Sequence, residues 1–268
     1  MGRVAVMQLV TSTHVQENLK ALEPLFAQAA EQGAALVVLP ENFSYMGRQD
    51  ATRIHTAEVE GDGPIQTAVS QLAKRFGLWV VAGTIPLIGQ KHRNRASSLV
   101  YDAQGKQVAC YDKIHLFDVQ VPDGETHQES LAIQPGHTVT VVDTPVGCIG
   151  LSVCYDLRFP ELYRQLVLKG AQLFTVPSAF TAITGAAHWA SLLRARAIEN
   201  LCYVLAPNQG GLHENGRQTH GHSMIVDPWG EVLTEMGTGP GLLVAETNLS
   251  YLQTLRQRFP CNDHHIMA

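Results

Sequence analysis

Cys154, Glu41, Lys113 and Glu129 are the side chains of this sequence whose types and positions could support covalent chemistry. A thiol attacks a carbonyl carbon as its thiolate, and a free thiol ionises only near ~8.5 unless its surroundings help. Cys154 closes the apolar run Ile149-Gly150-Leu151-Ser152-Val153 and precedes a helical stretch, a place where a helix N-terminus can stabilise a thiolate. The same position suits a buried structural cysteine. Glu41 ends another apolar run, and functional groups of α/β proteins gather beyond the carboxyl ends of strands. By position alone it reads as a solvated loop carboxylate, and Lys113 and Glu129 as exposed charges. The Gly-x-Ser-x-Gly elbow pattern is absent around Ser152-Val153-Cys154-Tyr155-Asp156. The intervals from 41 to 113 to 154 exceed any helix or strand period, so spacing alone does not bring these groups together.

The elements that would have to position them are legible from periodicity. Val4 to Val10 is a short apolar, β-branched run and reads as a buried strand. Thr13 and Gln16 resemble a capping box ahead of a helix ended by Gly33. Ala35 to Leu39 reads as a strand running into Pro40-Glu41. A second helix begins at Pro64 and is capped by Gly77. Strands follow at Leu78–Ala82 and Ser97–Tyr101, with Gln107–Tyr111 as a hairpin partner. Residues 112–137 hold Pro122, Gly124, Pro135 and Gly136 and read as a long irregular loop, a class of segment that often carries function.

The second half repeats the layout. Val139–Val142, Val146–Val153, Leu173–Pro177, Tyr203–Ala206, His222–Val226, Glu231–Thr234 and Leu242–Thr247 read as strands. Pro160–Lys169 and Trp189–Asn200 read as helices, and the tail from Ser250 starts helical. Strands alternating with helices, plus added hairpins, indicate an α/β protein, and no linker divides the chain, so residues 1–268 are expected to form one domain.

Composition narrows the class. Hydrophobic residues make up 45% of the 268 and charged ones 16%, which suits a packed core and argues against disorder. Net charge is −5, and the largest basic cluster, Lys91 to Arg95, reads as a solvated turn, so nucleic-acid binding is disfavoured. No apolar run approaches the ~18 residues of a membrane span, and the opening residues have no signal-peptide pattern. The five cysteines include no C-x-x-C pair. Cys110, Cys148 and Cys202 read as small core residues, and a reduced cytoplasmic setting is expected. His220 with His222, and His264 with His265, lack zinc-site spacing, so neither a metal nor an organic cofactor is expected.

Three segments, taken in order, resemble the carbon–nitrogen hydrolase (nitrilase-like) superfamily over nearly the whole chain. They are Leu36-Val37-Val38-Leu39-Pro40-Glu41, Tyr111-Asp112-Lys113-Ile114-His115-Leu116, and Val153 to Glu161. The resemblance implies a four-layer α-β-β-α sandwich, commonly paired as a homodimer. It implies amide hydrolysis through a Cys154 thioester, with Glu41 as general base and Lys113 and the Tyr155 backbone N–H stabilising the oxyanion. Glu129 matches the family's second glutamate, with Glu125 as a nearby competitor. Cys154 to Leu162, Pro177 to Phe180, Thr184 to Trp189, Leu193 to Glu199 and Gly221 to Gly230 resemble the branch acting on ω-amides of α-keto acids, including deaminated glutathione. Ala186 departs from the proline often found there. Within that branch, Arg158 is a candidate for a substrate carboxylate or for an ion pair with Glu161. Phe180 and Thr184 are candidates for the pocket wall, and Arg194 and Arg196 for bracing a helix. General ω-amidase activity, a silent binding protein on the same fold, and a Cys-His glutaminase using His115 remain as competing readings.

Overall fold

The computed structural model describes residues 1–47, 56–121, 124, 126–264 and 266. The first sheet contains β1 (Gly2–Gln8), β2 (Leu36–Val38), β3 (Trp79–Ile88), β4 (Asn94–Tyr101) and β5 (Gln107–Asp112). Outside it, β6 (Asp118–Gln120) and β7 (Thr126–Gln128) form a small hairpin within the long loop. The second sheet begins with β8 (Val141–Thr144), β9 (Gly147–Leu151), β10 (Leu173–Thr175) and β11 (Tyr203–Ala206). A further hairpin, β12 (Gly210–Leu212) with β13 (Gln218–His220), interrupts it before β14 (Met224–Val226) and β15 (Val232–Glu235). The last strand, β16 (Gly241–Thr247), returns to the first sheet and pairs antiparallel with β1. The orders are β16-β1-β2-β3-β4-β5 and β15-β14-β11-β10-β9-β8.

The central strands carry continuous apolar runs because both of their faces are buried. Val4, Val6, Leu36, Val38 and Val81 join the core shared with Ile149, Leu151 and Leu173 of the second sheet. The alternate residues Ala5, Met7, Val37 and Val80 pack instead against helices α1 (Val15–Glu31) and α2 (Pro64–Phe76). On the far side, α3 (Pro160–Leu168) and α4 (Ala182–Asn200) bring Leu162, Tyr163, Leu166, Trp189 and Leu193 to the second sheet. The layers therefore run helix, sheet, sheet, helix, as the sequence resemblance implies. Helix α5 (Leu249–Arg258) follows β16.

Several local expectations change. The α1 N-cap is His14, which makes no side-chain cap, and the Thr13 hydroxyl instead donates to Glu214 at 2.8 Å. Asn18 ties the first turn to the preceding loop instead, accepting from Ser12 N at 2.9 Å and donating to Ser44 O at 2.9 Å. Helix α4 begins seven residues before Trp189, where the Thr181 hydroxyl accepts from Thr184 N at 3.2 Å. Its small first-turn residues hide the apolar period, and Gly185 has no room for a Cβ, which would fall 2.2 Å from His220. The basic cluster at 91–95 is not all turn: Asn94 and Arg95 open β4, and Arg95 pairs with Glu60 at 2.8 Å and Asp112 at 3.1 Å. Cys202 is a core residue, whereas Cys110 and Cys148 are only half-buried; all five thiols are free.

Strand β3 does not stop at Ala82 but runs through Gly83 to Ile88, with a register shift between Ala82 and Ile85. At that shift a Cβ on Gly83 would lie 1.9 Å from the Pro40 carbonyl oxygen. Only a residue without a side chain lets β3 pass the turn that presents Glu41. Gly83→Ala is expected to push Pro40 and Glu41 away from their place, at a stability cost of about 1–3 kcal/mol. Urea midpoints and kcat measured side by side check this, since both fall.

Candidate active site

Leu39 N bonds Val81 O at 2.9 Å, so the β2 ladder continues almost to Glu41 before the chain turns. The Glu41 carbonyl accepts from Gln209 Nε2 at 2.9 Å, which ties it to the β12–β13 side of the molecule. Lys113 follows β5, its N–H bonded to Ala96 O at 3.0 Å and its carbonyl accepting from Gly136 N at 2.8 Å. Glu129 opens a single 3-10 turn directly after β7, and its carboxylate accepts from Phe117 N at 2.8 Å. Cys154 lies beyond the end of β9, its N–H bonded to Pro177 O at 2.9 Å just past β10.

These elements converge. Lys113 Nζ donates to Glu41 Oε1 at 2.9 Å and to Glu129 Oε2 and Oε1 at 2.8 and 3.0 Å. Glu41 and Glu129 are 3% exposed and Lys113 2%. All three line one pocket with Cys154, Tyr155, Arg158, Phe180 and Thr184. The eight residues singled out in the sequence therefore stand at one place. Glu125, the alternative second glutamate, lies outside the described residues, and Glu129 reaches Lys113.

The ionisation of the cluster follows from burial and charge. Desolvation alone would lower the Lys113 ammonium, but Glu129 and Glu41 outweigh it and hold its pKa well above the ordinary value. Burial, then the neighbouring Glu41 carboxylate, pushes the Cys154 thiol well up, against the opposing pull of Lys113 and the Ala179 backbone N–H. This corrects the helix-terminus expectation. Cys154 begins a five-residue 3-10 turn, and the helix that follows it, α3, starts only at Pro160. Burial and charge together favour the protonated thiol over the thiolate.

Cys154 has φ +50°, a left-handed conformation that a residue with a side chain adopts only under constraint. Asp156 supplies the constraint, a role the sequence did not reveal although the residue sits inside the recognised motif. Fully buried, it accepts from Val153 N at 2.9 Å, Tyr111 OH at 2.7 Å and His115 N at 2.9 Å. One carboxylate thus clamps the cysteine turn to the strand and loop that carry Lys113. Arg196 clamps the other side, donating through Nε and Nη2 to Leu157 O at 3.0 and 2.8 Å. The expected bracing by Arg196 is therefore of the cysteine turn as well as of its own helix.

His115 stacks on Phe159 at 3.6 Å and lies 2.7 Å from Asp156, and it is not among the residues lining the pocket. That placement argues against His115 as the base of a Cys-His pair. Arg158 does not pair with Glu161. Its Nη1 donates toward His188 Nδ1 at 3.2 Å, and its guanidinium lies 5.4 Å from the Phe180 ring. Asn42, Phe117, His127, Ala179, Thr181 and Arg217 also line the pocket, and none carried a sequence signal of its own. Among the described residues, no group of three or more His, Cys, Asp and Glu is arranged to hold a metal ion. Among the same residues, no helix is long and apolar enough to cross a membrane.

Comparison with known proteins agrees with this geometry. A Synechocystis protein named deaminated glutathione amidase is 43% identical over 272 residues, covering 98% of each chain. The crystal structure of the Caenorhabditis elegans NitFhit protein superposes with a TM-score of 0.92 at 38% identity, covering 99% of this chain and 65% of that longer one. A solved amidase from Nesterenkonia sp. AN1, carrying an acrylamide adduct at its active-site cysteine, is 29% identical with a TM-score of 0.80, covering 98% and 99% of the two chains. The carbon-nitrogen hydrolase family description matches residues 3–257. With that match spanning both sheets and every element that brings Glu41, Lys113 and Cys154 together, the chain belongs to the carbon–nitrogen hydrolase family.

Proposed function

We propose that this protein hydrolyses the side-chain amide of deaminated glutathione, releasing α-ketoglutarate and cysteinylglycine, as a metabolite-repair enzyme. The observation that carries the chemistry is the Lys113 ammonium held between Glu41 and Glu129 in the pocket that also holds the Cys154 thiol. The substrate assignment is supported by the curated relative named for that activity.

Glu41 accepts the Cys154 proton as the sulfur attacks the amide carbon. Lys113 and the Tyr155 backbone N–H donate to the oxyanion that forms, and one such donor is worth about 3–4 kcal/mol in the transition state. The C–N bond breaks as Glu41 returns the proton to the leaving amine, leaving a thioester on Cys154. Glu41 then deprotonates water, which attacks the thioester and frees the keto acid. Glu129 holds Lys113 in register throughout. Arg158 binds the keto-acid carboxylate, with Phe180 and Thr184 shaping the wall beside it. No cofactor enters any step.

We further propose that residues 1–268 act as one domain, in a homodimer and in the cytoplasm. The pairing of β1 with β16 from opposite ends of the chain supports the first. Exposed Leu168, Ile183 and Ile198 on the outer helices support the second, and five free thiols support the third. The substrate assignment is tested by kcat/KM on deaminated glutathione and on α-ketoglutaramate. Higher kcat/KM on deaminated glutathione is expected, and faster turnover of α-ketoglutaramate makes the protein a general ω-amidase instead.

A further inference from the structure

The pocket holds a second guanidinium for which the chemistry described above has no use. Arg217 lines it together with Arg158, but comes from a different element, the turn of the β12–β13 hairpin. That turn is fastened to the loop following Glu41, where Asn215 Nδ2 donates to Met46 O at 3.0 Å and Gly47 O at 2.7 Å. Asn215 Oδ1 in turn accepts from Arg217 N at 2.9 Å. Arg217 is thus positioned by the wall it stands in. Its guanidinium pairs with no carboxylate among the described residues. Nε is buried without a hydrogen-bond partner there, and Nη1 has a sulfur contact at 4.0 Å with Met46.

A second donor in the same wall shares this condition. Asn42 is 7% exposed, lines the pocket, and holds its Nδ2 buried without a partner among the described residues. Its backbone is fixed at φ +59° by the bond from its N–H to Thr84 Oγ1 at 3.0 Å. Buried donors are nearly always satisfied in folded proteins, and those that are not call for a ligand or a functional reason. Two such donors, one cationic, in the wall of a reaction pocket describe a site for an anionic, carbonyl-bearing group.

We propose that Arg217 and Asn42 bind the leaving half of the substrate. Arg217 pairs with the free C-terminal carboxylate of a dipeptide, and Asn42 Nδ2 donates to a carbonyl of the same segment. The inference rests on the proposed reaction and deepens it. The pocket presents two guanidiniums without carboxylate partners among the described residues, and deaminated glutathione carries two carboxylates, one at each end. α-Ketoglutaramate carries one, and leaves Arg217 idle.

The test compares deaminated glutathione with the same compound capped as its C-terminal carboxamide, in the wild type, Arg217→Gln and Arg217→Lys. The wild type is expected to favour the free acid in kcat/KM by about 10–100-fold, the worth of a charge-assisted pair, with the difference in KM. Arg217→Gln is expected to bring that ratio close to one, and Arg217→Lys to restore part of it through a point charge. Because each ratio is taken within one enzyme, a general loss of folded protein does not move it. Equal wild-type kcat/KM for acid and amide, or a ratio preserved in Arg217→Gln, overturns the assignment of Arg217 and leaves the reaction standing. A wild type that cleaves α-ketoglutaramate but neither dipeptide compound overturns both.

Discussion

Cys154→Ala is expected to lower amide hydrolysis by roughly 10⁴-fold or more, the scale seen when a nucleophile is removed from a preorganised site. The pocket, the Lys113 cluster and the Asp156 clamp do not depend on the sulfur, so the fold is expected to survive with a stability change of about 1 kcal/mol. Keto-acid release and urea midpoints, measured on one preparation, separate the two effects. Residual turnover within tenfold of wild type would exclude a covalent role for this cysteine. The raised thiol pKa sets a second signature. Burial and the Glu41 carboxylate both push the thiol up, so its attack on an amide calls for a base. Glu41→Gln is expected to lower amide hydrolysis by about 10²–10⁴-fold while Cys154 stays open to alkylation by acrylamide, which kcat and mass spectrometry of the treated variant check together.

Lys113→Met is expected to damage both activity and stability. Nζ is the cation shared by two carboxylates that are each 3% exposed. Removing one partner of a buried ion pair costs about 3–5 kcal/mol, because the remaining charge has neither water nor a counterion. Here two carboxylates are left facing each other. The variant is therefore expected to lose less stability at pH 5, where protonation can relieve the repulsion, than at pH 8. The oxyanion also loses its cationic donor, which lowers kcat by about 10²–10³-fold. Guanidinium titrations at both pH values and kcat at full saturation check the three parts. A variant as stable as wild type at pH 8 would mean the cluster is far less sealed than its burial indicates.

Legibility from sequence tracked physical origin. Strands buried on both faces are readable because an apolar run needs no partner to be seen: Tyr203–Ala206 coincides with a strand, and Val4–Val10 and Ala35–Leu39 overlap β1 and β2 but overrun their ends. Helix α2 was readable because Pro64 and Gly77 act locally. The opening of α4 was not, since Gly185 and its neighbours answer to His220 across the fold. The continuation of β3 was hidden for the same reason: Gly83 looks like a strand end until Pro40 is placed against it. The residues of the site were found by resemblance, and their proximity required the structure. Asp156, Asn42 and Arg217 escaped notice because what marks them is a buried carboxylate with several donors or a buried donor with none. Neither leaves a trace in local sequence.

The pairing of β1 with β16 has a consequence for how the protein comes into being. Gly2 faces Thr247, so β1 finds one of its two neighbours only once residues 241–247 have left the ribosome. Until then β1 can pair with β2 but offers a bare, apolar edge on its other side, the kind of edge that recruits strands from other chains. Contacts this distant along the chain slow folding, because a long loop must close before they form. Glu41 and Lys113 are translated well before Cys154, yet the sheet that carries them is completed well after it. The newborn chain thus holds every reactive group before it holds the sheet that aligns them, and its most vulnerable interval is the wait for residues 241–247.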